Sequence, residues 1–389
     1  MIFLSILFGL IAVGYAALDL ALAYGLLHLR RTNAISSRPQ VSVLICARNE
    51  ETHLDACLKS VLTQDYDGEW EVRVADDRSE DRTPTVLKKW DKDYPQKLHL
   101  LRIDELPTGL SPKKNAITRL VPGAAGEILL FTDADCVVSP SWITGMVSCF
   151  RDGVDWVSGY SRFPAEGRFH SLLYGFQAVD FLSHRTVDAA GIGWGHPITA
   201  CGQNLAYRKS VFEELHGFAG VEHVVSGDDD LLMHKLAALR PNAIAYCIDP
   251  ATFVDSAPQH SWKRVWEQRK RWASKTVNYN WGTVLLLGPV FLFYLGILLG
   301  LVIGAILWGL VGFWIPLWLA ASLLLWKTLC DTFVMILGIR LFREQRLWRW
   351  YPFTALLHIP MIVGAVLAGV FGGFTWKDQG TGRCANSPG

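Results

Sequence analysis

The sequence predicts an α/β domain with a doubly wound, mostly parallel sheet, set between apolar segments that supply about four transmembrane helices. Three observations predict it. Short β-rich apolar runs alternate with helical stretches between residues 41 and 135. Three of these runs end in polar or acidic loops, at Ala47-Arg48-Asn49-Glu50, Asp76-Asp77-Arg78-Ser79 and Asp133-Ala134-Asp135. In an open parallel sheet such ends gather along one edge, where ligands bind. Apolar stretches long enough to cross a bilayer stand on both sides of the domain.

The 389 residues are 51% hydrophobic, with 16 Trp and a formal net charge of +1. That suffices for one large domain plus membrane segments. The balanced charge lacks the basic footprint of a nucleic-acid partner. Eight cysteines are scattered without a CxxC pair, which is neither a disulfide framework nor a zinc pattern and suits a reducing compartment.

Residues 1–30 form the first expected unit, a transmembrane anchor. The run from 2 to 29 is apolar except for Asp19 and His28, and Arg30-Arg31 follow it. A cleaved signal peptide would begin with basic residues and be shorter. Basic residues after the run place the next segment in the cytoplasm.

The domain is expected over 38–260. Val41 to Ile45 is its first strand, with a helix following through Val61-Leu62. Val72 to Ala75 is the second strand and Leu98 to Ile103 the third. Lys113 to Leu120 reads as helix and Ile128 to Phe131 as the fourth strand. Asp133 and Asp135, one residue apart beyond that strand, can lean to one side of an extended chain. Two hard oxygen donors there suit Mg²⁺ or Mn²⁺ that also holds a phosphate; an acidic turn is the plainer reading of the pair alone. Further on, Val154 to Tyr160 reads as a strand, 171–188 as an amphipathic helix, and Gly191-Ile192-Gly193-Trp194-Gly195 as a loop. Asp228-Asp229-Asp230 opens a helix through Leu239, where carboxylates favour the helix dipole.

Residues 261–280 combine Trp262, Trp266 and Trp272 with a run of Lys and Arg at helical spacing, as expected of a helix lying flat on a leaflet. From 283 to 376 three transmembrane helices are expected. No charged residue occurs from Gly282 to Trp326, which allows two crossings with a turn near Gly309 to Gly312, the second running to about Ile339. Lys327 and Asp331 then form an i,i+4 pair that satisfies itself among helices. A last apolar run, 351–375, contains His358, which reads as structural. Four crossings put both termini outside. The tail from 377 to 389 reads as disordered.

Taken together, Asp76-Asp77, Asp133-x-Asp135, Asp228 to Asp230 and Gln268-x-x-Arg271-Trp272 resemble the pattern of glycosyltransferase family 2, in the membrane-bound branch that includes cellulose synthase and ceramide glucosyltransferase. The resemblance covers roughly residues 38–280. It implies a GT-A (Rossmann-like) fold and an inverting, metal-dependent transfer of sugar from a nucleotide-sugar donor, commonly a UDP-sugar. Ala47, Arg48, Glu50 and Asp77 would hold the nucleotide, and Lys113, or Lys114, the diphosphate. Asp133 would hold the donor and Asp135 the metal, Mn²⁺ or Mg²⁺. Cys201-Gly202 would lie beside the acceptor. The general base aligns with Asp228, with Asp229 as its competitor, because Ser226-Gly227-Asp228 stands where the family has a Glu-Asp pair. Gln268 and Arg271 would bind phosphate oxygens, and Trp272 would offer a sugar or the acceptor its face.

Three functions fit these residues. One is transfer of a single sugar to a membrane lipid, by an integral membrane protein (of the inner membrane in a bacterium) with its catalytic domain in the cytoplasm. Another is a processive polysaccharide synthase that exports its glycan. The third is a nucleotide-binding scaffold, which the full set of carboxylates argues against. The sparse polar residues of the membrane segments favour the first over a channel. The partners expected are the donor, a lipid acceptor and the bilayer, with no nucleic acid.

Overall fold

A computed structural model describes residues 2–29, 38–164, 171–376 and 379–381. Arg30-Arg31 and most of the expected tail lie outside the described residues. In chain order the strands are β1 Val41–Ala47, β2 Trp70–Asp77, β3 Leu98–Ile103, β4 Ile128–Asp133, β5 Cys136–Val137, β6 Trp156–Gly159, β7 Ser161–Arg162, β8 Leu205–Arg208, β9 Ile244–Cys247, β10 Val254–Ser256, β11 Phe374–Trp376 and β12 Gln379–Thr381. The helices are α1 Ile2–Leu27, α2 Leu54–Leu62, α3 Thr83–Asp93, α4 Pro112–Leu120, α5 Trp142–Val147, α6 Leu172–Trp194, α7 Lys209–Glu214, α8 Asp230–Leu239, α9 Trp262–Ser274, α10 Trp281–Val311, α11 Ile315–Leu341 and α12 Tyr351–Phe371.

The central sheet has the order β3-β2-β1-β4-β8-β6-β9. β1, β2, β3 and β4 run parallel, as expected; β8 is antiparallel to both β4 and β6. Side chains alternate across it. Val43, Ile45, Val72 and Leu130 face a layer holding α2 and α5, while Leu44, Ala75, Leu129 and Phe131 face α4, α6 and α8. Each of these Val, Leu, Ile and Phe side chains contributes about 1.5–3 kcal/mol on burial. The register sets Cys46 beside Asp133 and Ala47 beside Asp76. The three polar loops seen in the sequence therefore do leave the sheet side by side.

One expectation is corrected. Gly191 to Trp194 is not a loop but the last turn of α6, which ends at Gly195 in the left-handed region. The glycines serve close packing there: a Cβ at Gly193 would lie 2.1 Å from the carbonyl oxygen of Gly25 in α1. α6 thus runs beneath the sheet and receives the end of α1 on its last turns, and Gly338 of α11 against Thr186. Among the described residues four helices, α1, α10, α11 and α12, are long and apolar enough to cross a membrane. The pair inside them is formed: Lys327 Nζ lies 2.6 Å from Asp331 and 2.9 Å from His358 Nδ1.

Candidate active site

The ends of β1, β2 and β4, together with α9, enclose a cleft of about 760 Å³. Ala47, Arg48, Glu50, Asp77, Lys113, Asp133, Asp135, Gln268 and Arg271 all line it. Sequence positions more than two hundred residues apart are brought together because α9 crosses the open end of the parallel strands.

At the two aspartates ending β2, the neighbours divide the work. Asp76 pairs with Arg102 of β3 and accepts from the Ser79 backbone N–H, which closes the turn. Asp77 faces the cleft and accepts two bonds from Arg78, at 2.8 and 3.1 Å. The adjacent lysines of α4 divide likewise. Lys113 Nζ reaches Asp133 Oδ1 at 2.8 Å and Asp228 Oδ2 at 3.1 Å. Burial would lower its ammonium, but the two carboxylates outweigh burial and push it well above its ordinary range. Lys114 turns away and donates to the carbonyls of Val221, Val224 and Ser226 at 2.7–3.2 Å. Burial lowers its ammonium to about 8. Lys114 therefore fixes the loop that leads to Asp228 and does not line the cleft.

The acidic triplet separates in the same way. Asp230 is fully buried and accepts from the Ala200 N–H at 2.6 Å, from Lys275 at 2.5 Å and from Tyr279. Asp229 caps α8 through the Asp230 N–H and accepts from Gly202 N–H at 3.0 Å, with Lys275 at 3.4 Å. Burial opposes its charge, yet Lys275, Lys113 and those N–H groups hold its carboxyl below the usual carboxylate range. Asp228 has Lys113 for its ion partner and lies next to Gly202, whose added Cβ would sit 3.2 Å from Asp228 Oδ2. The Cys201-Gly202 turn thus abuts both carboxylates. Asn204 pins it from below, accepting from Trp142 and donating to Tyr160 and Thr252.

On α9, Gln268 and Arg271 point into the cleft. Burial depresses the Arg271 guanidinium, against the opposing charges of Asp228, Asp133, Asp229 and Asp135. Arg269 turns inward to a buried pair with Asp180 of α6, at 2.6 Å. Trp272 does not line the cleft. Its ring packs near Phe181 and edge-on to His184, with the Arg269 guanidinium 4.2 Å from its centroid. Lys275, Tyr279 and Asp180 were not singled out from the sequence. The signal for Lys275 was its place four residues after Arg271, which puts both on one helical side.

Among the described residues no three His, Cys, Asp or Glu side chains converge on one point. Asp133 and Asp135 supply two carboxylates to the cleft wall. That donor set fits a hard cation such as Mg²⁺, which is bound through one or two carboxylates and completes its shell with phosphate oxygens and water.

A family model described as "Glycosyl transferase family 21" matches residues 4–359. The chain belongs to that family. The match is to family 21, so the family 2 assignment suggested by the short motifs is not carried further. Beta-monoglucosyldiacylglycerol synthase of Nostoc sp. (strain PCC 7120) is 35% identical over 116 residues, 30% of this chain and 24% of that protein. Glycosyltransferase AglE of Haloferax volcanii is 30% identical over 202 residues, 50% of this chain and 60% of that protein. The family 21 chain thus spans less than two thirds of these relatives. Among solved structures, the mannosyltransferase PcManGT of Pyrobaculum calidifontis, in complex with GDP-Man and Mn²⁺, superposes with a TM-score of 0.57 at 19% identity, over 94% of this chain and 99% of that one. That likeness shows the fold, the mixed α/β architecture of GT-A glycosyltransferases.

Proposed function

We propose that this family 21 enzyme moves one sugar from a nucleotide-sugar donor, a UDP-sugar, to a hydroxyl of a membrane lipid, with inversion at the anomeric carbon. The observation that carries this reading is Lys113, which joins the Asp133 end of the cleft to Asp228 in one ion cluster. Leaving group and acceptor would therefore meet at one point. The lipid acceptor is supported by the four long apolar helices and by the relative that is a glycolipid synthase.

Asp77, with Arg48 and Glu50, holds the nucleotide at the β1 and β2 ends. Lys113, Gln268 and Arg271 take the diphosphate; the Arg271 fork suits two phosphate oxygens. Lys113 exchanges its carboxylate partners for the diphosphate, which releases Asp228. Asp228 then takes the proton of the acceptor hydroxyl as that oxygen attacks the anomeric carbon. The carbon–oxygen bond to the diphosphate breaks on the opposite face, and the configuration inverts. Asp229 is held ionised by Lys275 and two N–H groups, so it positions the loop and is the poorer base. Asp133 and Asp135 would hold the Mn²⁺ or Mg²⁺; when bound, that cation neutralises charge building on the diphosphate. The catalytic domain faces the cytoplasm on this reading.

Donor and acceptor can be identified together. The purified chain is incubated with labelled UDP- and GDP-sugars, Mn²⁺ or Mg²⁺, and membrane lipid. A lipid-soluble product carrying one sugar from a UDP donor is expected; transfer from a GDP-sugar alone would replace the donor assignment.

A further inference from the structure

We propose that α12 does not cross the membrane. It lies along the bilayer surface on the catalytic side, where with α9 it forms a layer seated in that leaflet. Four helices are long and apolar enough to span; three of them, α1, α10 and α11, do so.

The position of α9 is fixed first. Gln268 and Arg271 line the cleft, Trp262 packs on Phe176 of α6, and Lys275 just past its end pairs with Asp229 and Asp230. Both ends of α9 are thus tied to the catalytic domain, and the helix lies flat beneath it. The second half of α12 runs along this helix. Gly364 lies against the Trp266 ring, and a Cβ at Gly369 would be 2.4 Å from the carbonyl oxygen of Lys270. Past the end of α12, Lys270 Nζ donates to Gly373 O at 3.0 Å, and β11 packs on α9.

The other end of α12 is tied to the same domain. The Trp350 ring lies against Gly175 of α6, and Arg346 Nη2 donates to Phe163 O at 3.0 Å. A helix of this length reaches about 30 Å, the thickness of a hydrocarbon core. A crossing helix would therefore have its ends on opposite sides of the bilayer. Both ends of α12 touch the domain that carries the cleft.

The side chains agree. Pro352, Leu356, Pro360, Leu367 and Phe371 are exposed, all apolar, and fall within one arc of about 100° along the whole helix. Buried Thr354, Ala365 and Gly369 occupy the opposite arc, with Gly369 on α9, while Ile359 and Val363, at the edge of and within the exposed arc, are buried in a cluster with Phe293, Tyr294 and Ile297 of α10 and Leu323 of α11. A helix packed on α9 along one face, with α10 and α11 against its middle and exposed apolar side chains elsewhere, suits the boundary of headgroups and acyl chains. The leaflet is the occupant because every exposed residue of α12 is apolar, at both ends as well as in the middle. α10 differs: exposed Trp281 and Trp308 are about 40 Å apart along its axis, close to a full bilayer with its headgroups.

The consequence concerns the rest of the chain. The segment from Gly373 to Trp376 lies on the catalytic side, where four crossings would put it opposite. On the lipid-acceptor reading, the cleft also stands only about one helix diameter, ~10 Å, from the leaflet surface.

The test uses the full chain in sealed vesicles. An epitope tag is placed after Gly389, in the exposed turn at Asp67, or in the exposed turn at Gly312, and read with an antibody that cannot enter. The C-terminal tag is expected to be reached from the same side as the Asp67 tag and from the opposite side to the Gly312 tag. Reading with the Gly312 tag overturns the proposal. A second measurement does not depend on tags at the end of the chain. Nitroxide side chains at Leu356 and Leu367 in lipid nanodiscs should both sit shallower than one at Leu299, near the middle of α10; equal depth at either position would show a crossing helix. Neither measurement reads sugar transfer, so the outcome is independent of the catalytic roles proposed above.

Discussion

Replacing Asp228 and Asp229 separately by Asn divides the two carboxylates by what each is bonded to. Asp228 pairs with Lys113 at 3.1 Å, and that lysine keeps Asp133 at 2.8 Å when Asp228 loses its charge. Asp228→Asn should therefore leave the fold and donor binding nearly intact. It removes the base, a contribution of about 10²- to 10⁴-fold in turnover, or roughly 3–5 kcal/mol of barrier. Asp229→Asn has the reverse profile. It weakens a helix cap worth about 1 kcal/mol and a bond to a buried N–H worth about as much, and it costs Lys275 one of two carboxylates. A loss of about 1–3 kcal/mol in stability is expected, with turnover of the folded fraction within about tenfold. The assay measures kcat at saturating donor, donor affinity, and thermal unfolding for both variants. The assignment is refuted by a folded Asp229→Asn protein without turnover beside an Asp228→Asn protein that retains it.

Further outcomes follow from the same geometry. The stability that the Asp229 carboxylate contributes is present above its ordinary pKa and lost as pH falls through its depressed one, so the gap in melting temperature between wild type and Asp229→Asn should be full at pH 7 and close as pH falls below about 4. Asp180→Asn leaves Arg269 buried without its charge partner and should cost about 3–5 kcal/mol, and Asp180→Leu with Arg269→Met should recover most of it, both read by thermal unfolding. Lys113→Met should weaken donor binding by at least about tenfold, measured by calorimetry, whereas Lys114→Met should chiefly lower the melting temperature by freeing the 221–226 loop. Chelation of divalent cations should abolish transfer, with recovery on adding Mn²⁺ or Mg²⁺, and Asp135→Asn should raise the cation concentration needed for recovery.

The strands and their parallel order were legible because β-rich apolar runs alternate with helical ones and each ends in a polar loop. The long apolar helices were legible because an apolar run of such length with few charges has few other readings. The cleft residues were legible as types; which member of each adjacent pair faces the cleft was not. Asp76 and Asp77, Lys113 and Lys114, and Asp228 to Asp230 differ only in the partners the folded chain brings to them, and Arg102, Val221 and Lys275 are far away or unremarkable in sequence. The end of α6 was misread because glycines mark turns more often than close helix contacts, and the contact with Gly25 joins two helices more than a hundred residues apart. Trp272 shows the same limit: helical spacing placed it near Arg271 but not on the same side, where α6 covers its ring.

The central claim is transfer of a single sugar to a lipid, and product analysis tests it most directly. The purified chain, given a labelled UDP-sugar, divalent cation and total membrane lipid, should yield one lipid-soluble product of one sugar per lipid, absent with Asp228→Asn. A ladder of sizes or a water-soluble polymer would contradict the account, and so would donor binding without transfer to any lipid.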